Sequence, residues 1–193
     1  DMGMLISAMK HIKQHSTAEF WNLDHFMWFT GMWNVEFVRA DVNAMMQLIA
    51  DYNPDVIVDF WNVSACIAAR ASHKPLVTVI QADMHSRSNG FIWWKKHPAN
   101  LPSPVVSINT VLAELKLKPI SRTGELLTGD KTLVLGIPET DPLPETADVT
   151  YVGPVLWQRP DEKLPDWITG LSDKKPLVWL YPGNPQYGRG TRI

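Results

Sequence analysis

Cysteine is all but missing from this chain. The one thiol, Cys66, has no partner for an internal disulfide and no neighbours for a Cys-rich metal site. It stands among small residues and reads as a buried hydrophobe. Charge of one sign is missing too: 18 Lys and Arg against 20 Asp and Glu leave a formal net charge of −2. Nothing global therefore draws the chain to nucleic acid or to an acidic membrane. No apolar run approaches the roughly 18 residues that span a bilayer. A cytoplasmic setting is what these absences predict. A beginning is also lacking, because the chain opens at Asp1 with no initiator methionine, signal peptide or opening strand. It reads as an excerpt of something longer.

What is present is an ordinary globular composition, 45% hydrophobic and 20% charged, with 9 Trp and 8 Met. The most informative stretch runs from Tyr52 to Asp83. Asn53-Pro54 stops what precedes it, since proline disfavours helix in the residue before it. Asp55 to Asp59 (DVIVD) is β-branched, apolar on both faces and closed by a carboxylate, as suits a parallel strand covered by helices on each side. Asn62 or Ser64 can cap a helix through Ala65–Ala71, His73-Lys74-Pro75 ends it, and Leu76 to Ile80 is a second buried strand. Strand, helix and strand in about thirty residues is a βαβ crossover. The fold class is therefore α/β, a Rossmann-like parallel sheet with helices on both faces.

In such sheets ligands sit beyond the carboxyl ends of the strands. Those ends carry Asp59, Phe60 and Trp61 after the first strand, then Gln81, Asp83, His85 and Arg87 after the second. A strand-end carboxylate facing a loop with histidine and arginine is a candidate site. The plainer reading is that Asp59 caps the following turn and the rest is solvated.

Around this unit the pattern is helical on the near side. Met4 to His15 is amphipathic, with His11 and His15 at i and i+4, where a pair can hold a metal on one helical face. No third ligand follows at a suitable spacing, so no metal site is assigned. Phe20 to Trp33 (FWNLDHFMWFTGMW) is dense in aromatics and Met, either core or the wall of an apolar pocket. Asp24 and His25 are adjacent in it and point differently if it is helical. Val35 to Asp51 carries Val35, Val38, Val42, Met45 and Ile49 in three–four rhythm, the clearest helix.

Beyond the unit, Phe91-Ile92-Trp93-Trp94-Lys95-Lys96 follows a Ser88-Asn89-Gly90 turn. It can line a pocket, or lie on a membrane surface with its aromatics at the interface and its lysines toward anionic lipid. Val105 to Lys116 is helical, while Thr132–Leu135 and Val149–Val152 are further short strands. Gln158 to Pro165 has linker composition, and Pro176 to Tyr181 (PLVWLY) begins a new strand before Pro182-Gly183-Asn184. A domain boundary belongs between Gly153 and Lys175.

This order of pieces resembles the GT-B glycosyltransferases, specifically the UDP-sugar-dependent family that glycosylates small hydrophobic acceptors. Residues 53 to 59 (NPDVIVD) are similar to that family's PD-hydrophobic-D strand, and Ala65–Ala71 with Lys74-Pro75 to its AAR-helix and turn. Glu139 with Asp141-Pro142-Leu143-Pro144 resembles the loop before its last N-domain strand, and Tyr151-Val152-Gly153-Pro154-Val155-Leu156 that closing strand. Lys175 to Val178 through Gly183-Asn184 resembles the first strand and glycine turn of its donor domain. The resemblance spans residues 53 to 184.

It implies an acceptor-side domain over residues 1–155 lacking its first strands, a linker at 156–175, and the start of a donor-binding domain at 176–193. The reaction implied moves a sugar from a nucleotide-sugar to a hydroxyl of a small hydrophobic or lipid acceptor, with inversion. The nucleotide-sugar is then a co-substrate, and no cofactor is expected. Asp59 matches the aspartate that orients the family's histidine base, as a carboxylate taking the second imidazole N–H does. That histidine is absent from this chain, so the excerpt is expected to be inactive alone. Gly183 and Asn184 match the donor-phosphate turn, where a glycine lets backbone amides approach the anion. Trp61, Gln81, His85, Trp93 and Trp94 are expected to line the acceptor side. The alternative is a non-catalytic α/β domain that binds an apolar ligand or partner through its Trp- and Met-rich surface.

Overall fold

A computed structural model describes residues 20–155 except Trp94, together with separate positions between 161 and 178. The His11–His15 pair, Trp94, the Gly183-Asn184 turn and most of the PLVWLY run lie outside the described residues. The chain divides into two compact units at Pro154–Val155.

In the first unit Asn22 caps a short helix, α1 (Leu23–Met27), by accepting the His25 N–H. The chain then passes through a π-helical turn, Trp28–Met32, kinked at Gly31, whose φ of 102° only glycine adopts without strain. The aromatic run is thus a broken helix that buries Leu23, His25, Met27, Gly31 and Met32. Asn34 next caps α2 (Val35–Tyr52), taking the N–H groups of Glu36 and Phe37. Val38, Val42 and Ile49 of its apolar stripe are buried. Asn53, left-handed at φ 43°, donates its N–H to the Ile49 carbonyl and ends the helix ahead of Pro54.

The strand–helix–strand unit forms where its pattern indicates: β1 (Ile57–Asp59), α3 (Val63–Ala71) and β2 (Leu76–Ile80). Asn62 is the cap of α3 and accepts the Ala65 N–H, whereas the Ser64 hydroxyl is buried with no partner. The helix α4 (Val105–Glu114) precedes β3 (Lys131–Val134) and β4 (Thr150–Tyr151). All neighbours pair in parallel in the order β1-β2-β3-β4, with Asp59 beside Thr78 and Ile80 beside Val134. The protein is α/β, a four-stranded parallel sheet flanked by helices, as the crossover unit predicts. In the second unit Asp166–Thr169 is a single helical turn, inside the 156–175 stretch that the resemblance gives as linker.

The small residues of α3 allow it to pack closely along α2, and α4 packs on α2 as well. Cys66, Ile67, Ala68 and Ala69 are wholly buried with Val38, Val42, Ile80, Ile108 and Leu112. Each such Val, Leu or Ile contributes about 1.5–3 kcal/mol relative to exposure. Arg39 of α2 binds Glu114 of α4 through two nitrogens, at 2.8 and 2.6 Å. Between β2 and β3 the hydroxyls of Thr78 and Thr132 bond at 3.2 Å and both accept the Gly129 N–H. Buried hydroxyls on a central strand thereby keep partners.

One expectation fails in detail. The run from Asp55 to Asp59 is not covered on both faces among the described residues. Ile57 and Asp59 turn inward, but Val58 is 66% exposed and Phe60 60%. Side chains alternate across a strand, and among the described residues β1 is a sheet edge with only β2 beside it. Alternation and edge position together leave the Val56–Val58–Phe60 side open.

Candidate functional site

The loops at the carboxyl ends of β1 and β2 carry the buried polar residues Asp59 and His85. Asp59 ends β1 and is 4% exposed. Its two oxygens share the Asn62 N–H at 3.2 Å each, and Oδ2 also accepts the Cys66 thiol at 3.3 Å. Burial pushes the Asp59 carboxyl up, against the Cys66 thiol, the Asn62 and Phe60 amides and the charge of Arg70, which favour its ionised form. The Cys66 thiol is driven upward by burial and by that carboxylate, so it stays protonated. Asp59 thus closes the turn into α3, as the plainer sequence reading has it. No described histidine donates to it.

Trp61 occupies that same turn at φ 69°, rare for a bulky residue. Its ring stacks on Phe60 (5.9 Å, 13°) and meets Phe26 edge-on. Phe26 in turn meets Phe20, and Phe20 meets Phe29. The indole Nε1–H of Trp61 is buried with no acceptor. An aromatic cluster therefore joins the α1 segment to the β1 turn.

A separate cavity of about 400 Å³ opens beside the loop after β2. Three distant segments build it: Asn22–Asp24 at the start of α1, Asp83–Gly90 after β2, and Ser121–Gly124 before β3, with His97 also in its wall. Asp24 ties two of these to a third stretch, accepting the Thr123 N–H (2.8 Å) through Oδ1 and the Ser103 hydroxyl (3.2 Å) through Oδ2. Arg122 bonds across to the Ser86 carbonyl at 2.9 Å.

His85 is 5% exposed and takes the Arg87 N–H on Nδ1 at 3.1 Å. Burial, then the charge of Arg87, hold its pKa below the usual imidazole value. A neutral ring that accepts at Nδ1 carries its proton on Nε2. Burial and the nearby Asp141 charge raise the Asp83 carboxyl, and its Oδ1 is sealed off without a partner.

Gly124 is packed so tightly that a Cβ would lie 2.6 Å from the Met84 carbonyl oxygen and 3.2 Å from the Ser86 nitrogen. Both contacts are backbone, so nothing yields cheaply. Gly124→Ala should cost about 1–3 kcal/mol by overpacking. It should also displace the loop that carries His85. Urea denaturation and the amide resonances of residues 83–88 would register both effects.

The expected site residues divide as follows. His85 lines the cavity; Gln81 is exposed and does not. Trp61 belongs to the aromatic cluster at β1. Trp93 is half-buried and packs on Trp21 at 4.9 Å, with Trp21 meeting His97 at 5.4 Å on the cavity wall. Asp59 is not part of the cavity, so the strand-end carboxylate and the His85–Arg87 loop do not form one bonded constellation. Ile92, 91% exposed, shares a loop with exposed Lys95 and Lys96.

Asp24 and Arg122 carry no local signal for this role, because fold topology alone brings them to the loop after β2. Asp24 and His25 indeed go separate ways, and His25 instead takes the Trp21 N–H on Nδ1. No helix among the described residues is long and apolar enough to cross a membrane. No protein-family model and no curated protein matches the chain.

Proposed function

We propose that the chain is the acceptor-side part of a glycosyltransferase of GT-B type, moving a sugar from a nucleotide-sugar to a hydroxyl acceptor. The observation that carries this reading is Asp59, a buried carboxylate at the carboxyl end of a parallel β1, flanked by the Phe20–Phe26–Trp61 aromatic cluster. In a crossover sheet that is where ligands are bound. A carboxylate fixed by two internal donors is pre-organised to orient an imidazole base. The base itself, and the donor half, would come from other parts of a longer chain, and transfer would proceed with inversion at a cytoplasmic site. Ile92, Lys95 and Lys96 give the acceptor side a means of touching an anionic bilayer if the acceptor is a lipid.

The non-catalytic alternative has its own support. Asn62 and Cys66 already satisfy Asp59, as a residue that only locks a turn would be.

Calorimetric titration of UDP separates the two, using the complete reading frame with the 193-residue chain as control. Binding by the complete frame alone is the expected result. No binding by the complete frame sinks the UDP-sugar reading and leaves the ligand-binding domain.

A further inference from the structure

We infer that the cavity beside β2 binds a neutral, hydroxyl-rich group, a sugar ring or similar polyol. Of the side chains that line it, only Leu23 and Met84 are apolar. The rest alternate hydrogen-bond donors and acceptors, among them Asp24, Asp83, His85, Ser88, Asn89 and Arg122. An apolar ligand would strip water from the donor and acceptor positions that these groups do not already use internally, at a cost of about 1–3 kcal/mol for each one left unpaired. A phosphate is disfavoured as well, because Asp24 and Asp83 face it with two carboxylates against one guanidinium. Hydroxyls both donate and accept, so they match a mixed wall.

The wall is also rigid. Internal bonds hold Asp24 at both oxygens, His85 at Nδ1 and Arg122 at Nη1. Ser88 donates to the Asp83 carbonyl and accepts the Gly90 N–H. A pre-set wall loses little entropy on binding. At about 400 Å³ the cavity falls within the range of small-ligand sites. His97, backed by Trp21 at 5.4 Å, puts an aromatic ring in the cavity wall, against which the C–H side of a sugar ring can rest.

This departs from the small hydrophobic or lipid acceptor that the resemblance implies. Describing the bound group as part of the acceptor rests on the transferase reading, but its binding does not.

The test is an NMR titration of the 193-residue chain with a panel of neutral methyl glycosides, followed at the amides of residues 83–90 and 121–124. Saturable shifts confined to these segments are expected for at least one glycoside. Asp83→Ala should weaken binding about tenfold or more, the loss of one hydrogen bond to its Oδ2. Asn89→Ala, an exposed loop change that leaves the core alone, should weaken it less.

Absence of shifts with every glycoside overturns the inference. So does saturation by methylammonium or inorganic phosphate in place of glycosides, since the site would then be ionic. Glycoside binding by this chain without UDP binding by the complete frame keeps the site and removes the transferase. UDP binding without glycoside binding does the reverse.

Discussion

On the proposed transferase reading, Asp59→Ala in the complete reading frame should lower turnover about 10²–10⁴-fold while leaving UDP affinity unchanged. That range is what a positioned general base contributes, and a base without its orienting carboxylate loses the correct tautomer and direction. The split between turnover and donor binding is essential, because mere unfolding would abolish both. Asp59→Asn provides the control for the turn. Its amide oxygen still accepts the Asn62 N–H, so the chain should fold, yet the negative charge that stabilises an imidazolium is gone. If Asp59→Asn keeps full turnover, Asp59 is only the lock of the β1–α3 turn.

The same pair of proteins has a pH signature in stability. Burial raises the Asp59 carboxyl above its ordinary value, so the folded state holds that proton more tightly than the unfolded chain does. The stabilisation from that group is complete below the pKa of the unfolded chain. It is lost as pH rises through the higher folded value. The Asn variant has no such proton to lose. Wild-type stability relative to Asp59→Asn should therefore fall as pH rises from the ordinary carboxylate range through the raised value, measured by chemical denaturation at a series of pH values.

Local chemistry decided which parts of this structure could be read in advance. The helix α2 and the β1–α3–β2 unit are each specified within a few residues. Asn34 and Asn62 supply the caps, and Asn53-Pro54 and His73-Lys74-Pro75 supply the stops. Apolar rhythm sets the buried faces. The cavity is different. Asp24, Asp83 and Arg122 are far apart in the chain, and their meeting depends on β3 lying beside β2 and on α1 packing near the turn before β3. No spacing rule encodes that. The aromatic run shows a third case, since its composition marks a buried segment but only Gly31 hints at the kink that divides it.

The largest structural effect should come from Ile67→Ala, a loss of about 2–5 kcal/mol in denaturant unfolding of the 193-residue chain. Ile67 is fully buried on α3, the helix that packs on α2, β1 and β2. Truncation removes three carbons from a layer that small neighbours such as Ala68 and Ala69 cannot refill. Val58→Thr is the comparison that gives this value meaning. Val58 is also a β-branched aliphatic on the same crossover unit, and by composition it looks equally internal. It is 66% exposed on the open side of β1, so exchanging it for an isosteric β-former should stay within about 0.5 kcal/mol of wild type. A loss at Val58 comparable with that at Ile67 would mean that this side of β1 is covered. The sheet would then be buried on both faces, as DVIVD read alone would have it, and the turn at Asp59–Trp61 would be an interior one.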